Sequence, residues 1–94
     1  MYARVVTGRF QDTAIDRGIA VLEGEVRPHI ATRAGFISWS LLIERETGRF
    51  QAITFWGSIV EAQSASRDGF TDRAGMLRGL LEGELQQTLY EVRP

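Results

Sequence analysis

Residues 36–56 read FISWSLLIERETGRFQAITFW. Two runs rich in aromatic and aliphatic side chains flank a short polar stretch that holds Gly48. This is the layout of a β-hairpin, and the rest of the chain is read around it. Taking Glu46-Thr47-Gly48 as a three-residue loop, with Gly48 in the left-handed position, pairs Arg45 with Arg49. Side chains alternate along a strand. This register therefore puts Ile37, Trp39, Leu41, Ile43, Ile53 and Phe55 on one face. Phe36, Ser38, Ser40, Leu42, Phe50, Ala52, Thr54 and Trp56 take the other. A one-residue change in the loop would mix the two sets.

Upstream, residues 2–9 read as a strand, with β-branched Val5, Val6 and Thr7. Ile15, Ile19, Leu22 and Val26 then recur at spacings of four, three and four, the apolar stripe of a helix over 13–27. Thr13 with Asp16, or Asp12, supplies its start. Pro28 has no N–H to offer the carbonyl of Gly24, so a kink or an end is expected near residue 28. Gly35 suits the left-handed residue that follows a helix. Downstream, Ser58 and Glu61 have the spacing of a capping box for a helix over 59–67. Asp68-Gly69 breaks it. Thr71 or Asp72 starts another, with Met76, Leu77, Leu80 and Leu81 as its apolar stripe and Gly83 as its end. Residues 84–92 read as a last strand.

The order β-α-β-β-α-(α)-β is the ferredoxin-like split βαβ arrangement. The fold class is α+β, with a four-stranded antiparallel sheet and helices on one face. A chain of 94 residues has the length of one domain, 1–94. The string TGRFQ occurs twice, at 7–11 and 47–51. The first copy ends a strand and the second closes the hairpin loop. They do not sit at matching positions of two halves, so the repeat is read as coincidence rather than as a duplicated module. A lone glycine without further glycines or a lysine does not make a phosphate loop.

Eleven basic and twelve acidic residues leave a formal net charge of -1. That balance argues against a nucleic-acid binder, which shows a basic excess, and against a polybasic membrane-surface protein. There is no cysteine, so disulfides, thiolate metal sites and cysteine nucleophiles do not arise. The absence fits a cytoplasmic location. No apolar run has the length of a membrane span, and the N-terminal residues lack the layout of a signal peptide. One histidine and dispersed carboxylates offer no metal-ligand spacing. Helices on one face leave the other side of the sheet bare, and both hairpin faces carry large apolar residues. A homodimer, sheet against sheet, is therefore expected, covering an ordinary area of about 800 Å² per partner.

Three features resemble the antibiotic biosynthesis monooxygenase family of the dimeric α/β-barrel superfamily. RAGFISWSLLIERETGRFQAITFW (33–56) is similar to its glycine-then-aromatic entry into strand two, its hairpin, and its strand three ending in tryptophan. FWGSIVEAQSAS (55–66) is similar to the segment that opens the next helix. The order of elements and the length also match. The resemblance implies a dimeric barrel and, for the family's characterised enzymes, oxidation of phenolic, quinol or anthrone-like aromatics with neither metal nor flavin. An electron-rich aromatic, once deprotonated, passes an electron to dioxygen itself. The protein supplies a dry pocket, a proton acceptor and donors for the developing oxyanion. A haem-degrading branch shares the fold, but this chain has no histidine after His29 and no asparagine. That branch's pocket tryptophan lies in the helix after strand three, where this chain has Ser64 and Ala65.

Under this resemblance the expected catalytic residues are Trp56 as a hydrogen-bond donor, His29 as proton acceptor and Tyr90 as a group that binds or protonates an oxygen. Trp39, Arg33, Thr7 and Thr54 are the expected substrate-binding residues. Each has a plainer structural reading: packing for the two tryptophans and Tyr90, an exposed helix end for His29, helix-dipole complement for Arg33, and routine strand hydroxyls for the threonines. No cofactor is expected. Two further functions are open: a non-catalytic dimeric barrel that binds a small apolar ligand, and an isomerase or cyclase on the same fold.

Overall fold

The computed structural model describes residues 1–94, apart from the side chain of Thr71. The elements are β1 (Tyr2–Arg9), α1 (Ile15–Val21), a π-helical segment (Leu22–Val26), α2 (Arg27–Ala31), β2 (Phe36–Glu44), β3 (Arg49–Trp56), α3 (Ile59–Arg67), α4 (Phe70–Gly75) and β4 (Gln86–Glu91). The four strands form one antiparallel sheet in the order β2-β3-β1-β4. The α+β, ferredoxin-like fold expected from the sequence is the one observed.

The hairpin register differs by one residue from the expected one. Glu44, not Arg45, pairs with Arg49. The connection is the four residues 45–48, and the Glu44 carbonyl accepts from the backbone N–H of both Thr47 and Gly48. Gly48 takes a φ of 79°, the left-handed conformation the loop requires. The shift re-sorts the two faces. Trp39, Leu41 and Ile43 join Phe50, Ala52, Thr54 and Trp56 under the helices, while Ser38, Ser40 and Leu42 lie with Gln51, Ile53 and Phe55 on the open face. An irregularity between Phe36 and Ser38 returns Phe36 to the helix side. There its ring meets Trp56 edge to face at 5.8 Å. Thus Trp39, Leu41 and Ile43 of β2 serve the core, while Ile37 and Leu42 stay exposed.

The helical hand between β1 and β2 is nearly continuous from Ile15 to Ala31 and starts at Ala14, without a side-chain cap from Asp12 or Thr13. The disturbance expected from Pro28 appears as the π-helical turn over Leu22–Val26. Proline cannot donate to the carbonyl four residues back, and a wider turn is one way to absorb that defect. The capping box of α3 is present: Ser58 Oγ accepts from the Glu61 N–H at 3.2 Å and donates to the Glu61 carboxylate at 2.9 Å. α4 begins at Phe70, after Gly69 at φ 79°, and ends at Gly75 rather than Gly83. The side chain of Thr71, one of its two expected starting residues, lies outside the described residues.

The repeated string has a spatial meaning. Its two copies are antiparallel partners: Thr7 pairs with Gln51, Gly8 with Phe50 and Arg9 with Arg49. The Phe10 N–H donates to the Gly48 carbonyl at 2.8 Å. Phe10 and Phe50 stack with ring centroids 4.4 Å apart. A Cβ on Gly8 would come within 2.8 Å of the Phe50 ring, so that glycine makes room for the other copy's aromatic. The copies are not coincidental in space, although they do not mark a duplicated domain.

Candidate functional site between the sheet and the helices

A folded interior holds few polar side chains, and each needs a partner. Among the described residues three polar side chains are buried: Arg4, Thr54 and Arg73. All three line one cavity of about 30 Å³ between the sheet and the helices. Leu22, Val26 and Ile30 form part of its apolar wall, so the π-helical turn and α2 face it. Trp39 lines it too. Its indole Nε1 is the one buried side-chain polar atom without a hydrogen-bond partner among the described residues.

Arg4 lies on the helix side of the central strand β1, opposite Thr54 on β3. It is only 3% exposed. Its Nε donates to Gln87 Oε1 at 3.1 Å, and its guanidinium lies 5.4 Å from the centroid of the Phe70 ring. Among the described residues no carboxylate comes within ion-pair distance of it. Burial, with help from the nearby cations Arg73 and Arg33, pulls its pKa down to about 10, so it is still charged at neutral pH.

Arg73 is fixed from behind. It donates to the backbone carbonyls of Ala65 and Asp68, at the end of α3. A cation there complements the negative end of the helix. Its pKa is lowered, first by burial and then by Arg33. Arg33 is held by Ser64 Oγ at 3.1 Å and by the Asp68 carboxylate at 3.7 Å. Three guanidinium groups therefore converge near two exposed carboxylates, Asp68 against Arg33 and Asp72 acting on Arg73.

Thr54 receives the indole N–H of Trp56 on its Oγ1 at 2.8 Å. Trp56 is fully buried, packed with Ile30, Ala62 and Ala65. Its N–H is committed to Thr54, which leaves the threonine's own hydroxyl hydrogen to be donated. Donors therefore dominate the cavity: arginine and tryptophan have no acceptor atom, and Thr54 Oγ1, with one lone pair taken by Trp56, keeps one lone pair and its own hydrogen. Such a surface can stabilise negative charge on an oxygen, and none of these four side chains can take up a proton.

Of the residues singled out in the sequence, the structure brings Trp39 and Thr54 together at the cavity and stacks Trp56 behind Thr54. Arg33 stands one shell back. His29 is exposed on α2, and Tyr90 is 54% exposed on the open face of edge strand β4. Thr7 also faces the open side, in a groove with Arg9, Glu44 and Arg49. Arg4 and Arg73 carry no motif that marks them in the sequence. The signal for Arg4 was its parity: it shares a strand face with Val6, a core position. Nothing local marks Arg73, whose burial depends on how α4 docks. Among the described residues no cluster of three or more His, Asp or Glu is placed to hold a metal ion. Among the described residues no helix is long and apolar enough to cross a membrane.

Comparison with known proteins places this architecture. A putative antibiotic biosynthesis monooxygenase from Deinococcus radiodurans superposes with a TM-score of 0.80 at 16% identity, covering 100% of this chain and 94% of that one. SnoaB, a cofactor-independent oxygenase from Streptomyces nogalater, gives 0.72 at 21% identity, covering 99% and 93%. The monooxygenase ActVA-Orf6 of Streptomyces coelicolor, in complex with nanaomycin D, gives 0.70 at 20% identity, covering 99% and 88%. The chain therefore has the fold of the antibiotic biosynthesis monooxygenases. In sequence it is 39% identical over 71 residues to two uncharacterised proteins of Mycobacterium tuberculosis, covering 76% of this chain. The chain spans about 31% of the length of those relatives. No family model matches it.

Proposed function

We propose that this chain is a single-domain member of the antibiotic biosynthesis monooxygenase family and a cofactor-independent monooxygenase. Its substrate is a small aromatic of the phenolic, quinol or anthrone type, bound with a ring oxygen in the cavity between the sheet and the helices. One observation carries the reading: the buried polar side chains Arg4, Thr54 and Arg73 and the unpartnered Trp39 indole all meet at one void on this fold. Donors fixed in a dry pocket favour the ionised form of a ring oxygen, the form that can hand an electron to dioxygen. In the anthrone case a ring CH2 becomes C=O. One oxygen atom is inserted, and the other leaves as water with the two hydrogens the carbon loses. Trp39, Thr54, Arg4 and Arg73 are the binding residues of this reading, and Trp56 positions the Thr54 hydroxyl. Exposed His29 and Tyr90 have no part in it.

The working molecule is proposed to be a cytoplasmic homodimer. The open face exposes Leu42, Ile37 and Tyr90 beside the half-buried Ile53 and Phe55, a patch suited to a second copy. Light scattering on a size-exclusion column should give twice the chain mass, and a stable monomer at micromolar concentration would refute this part. Oxygen uptake with a panel of hydroquinones and anthrones, corrected for uncatalysed oxidation, tests the activity. Rates no higher than the protein-free control with every substrate would overturn it.

A further inference from the structure

We propose that Arg4 and Trp39 form a seat for an oxygen that is already ionised at neutral pH, so that this protein selects flat aromatic anions over neutral aromatics of the same shape. The inference rests on the same cavity as the proposed function and specifies what enters it. Three observations lead there. The first is that donors far outnumber acceptors among the cavity's polar side chains. A water molecule would satisfy the Trp39 N–H, yet for its two hydrogens it would find a single acceptor among Arg4, Trp39, Thr54 and Arg73, the remaining lone pair of Thr54 Oγ1. An anionic oxygen has no hydrogens to place. The second is charge. Arg4 and Arg73 are 3% and 4% exposed, and neither has a carboxylate within ion-pair distance among the described residues. Exposed Asp72 offsets Arg73 in part, whereas Arg4 has only other cations acting on it. Buried charge without a counter-charge is costly, and a bound anion supplies the one Arg4 lacks. The third is the lack of a base. None of those four side chains can remove a proton from a neutral phenol, so a ligand that arrives ionised needs no such group.

Size is consistent with a head group. The void of about 30 Å³ suits one oxygen atom and not a ring. The ring position is held by Phe70, 5.4 Å from Arg4 and directly after the left-handed Gly69. A ligand ring would replace Phe70 over the guanidinium.

The experiment is calorimetric titration of the folded protein with matched probes: 2-naphthoate as the carboxylate, 4-nitrophenolate as the phenolate, and methyl 2-naphthoate and 4-nitroanisole as their neutral counterparts. At least one anion should bind at least tenfold more tightly than its neutral counterpart. Arg4→Met should weaken that anion about tenfold or more while leaving the neutral probe unchanged, as loss of a charge-assisted bond requires. Trp39→Phe, which keeps a ring and removes the N–H, should weaken it less but measurably, and it serves as the second variant if Arg4→Met fails to fold. Binding of the carboxylate, the phenolate or both identifies which oxygen source fits. Equal affinity for neutral and anionic probes, no binding of either anion at millimolar concentration, or full affinity in both variants would overturn the seat. Because the readout is binding, the two readings can fail separately. An anion that binds without oxygen uptake upholds the seat and refutes the oxygenase. Oxidation of a neutral quinol undiminished in Arg4→Met upholds the oxygenase and refutes the seat.

Discussion

The two ends of the helix-side core are built on opposite rules. At one end Phe10 and Phe50 stack beside Ala14, Leu77 and Leu80, all buried and all apolar. At the other, Arg4, Arg73 and Thr54 are as deeply buried as those residues, and an indole N–H is left unpartnered. The first end needs no explanation beyond packing. The second is less stable than an apolar core of the same shape would be, since a desolvated guanidinium without a counter-ion, as at Arg4, opposes folding. A departure of this kind, confined to one void on a fold that elsewhere follows the packing rules, points to a ligand.

Mutations can sharpen that contrast. The largest effect on stability belongs to the apolar end. Phe50→Ala should cost about 3–5 kcal/mol in urea unfolding, because it removes a buried ring and the partner of Phe10. Thr54→Val is intermediate. It strands the buried Trp56 N–H and should cost about 1–3 kcal/mol, with oxidation lowered as well. Arg4→Met should behave in the reverse sense to Phe50→Ala. Its thermal midpoint should stay level or rise, since a methionine of similar length fills the space without a charge, while turnover falls at least about tenfold. A large drop in its midpoint would show that Arg4 is structural and would erase the distinction between the ends. His29→Ala, on exposed α2, should leave stability within about 0.5 kcal/mol of wild type and oxidation unchanged.

The sequence made the element order plain, because the hairpin, the stripe Ile15-Ile19-Leu22-Val26 and the Ser58–Glu61 cap are local patterns with local causes. The faces of the hairpin were not legible. A three- and a four-residue loop both accommodate Gly48, and the choice moves Phe50, Ala52, Thr54 and Trp56 to the other side of β2's apolar set. Thr54 and Trp39 were seen separately as candidates, but only the shifted register puts them on one face. Arg4 and Arg73 are not legible as buried, because an arginine in a sequence reads as surface. Its burial is decided by strands paired across about 50 positions and by the docking of a short helix, which no local window contains. The TGRFQ repeat made the same demand: two identical strings are easily noticed, and their pairing is a tertiary fact.

The most direct test is a crystal structure of the protein with a bound aromatic anion such as 2-naphthoate. The account predicts the ligand's charged oxygen about 3 Å from Trp39 Nε1 and from the Arg4 guanidinium, with Phe70 displaced by the ring. A cavity holding only water, with the ligand elsewhere or absent, would contradict it.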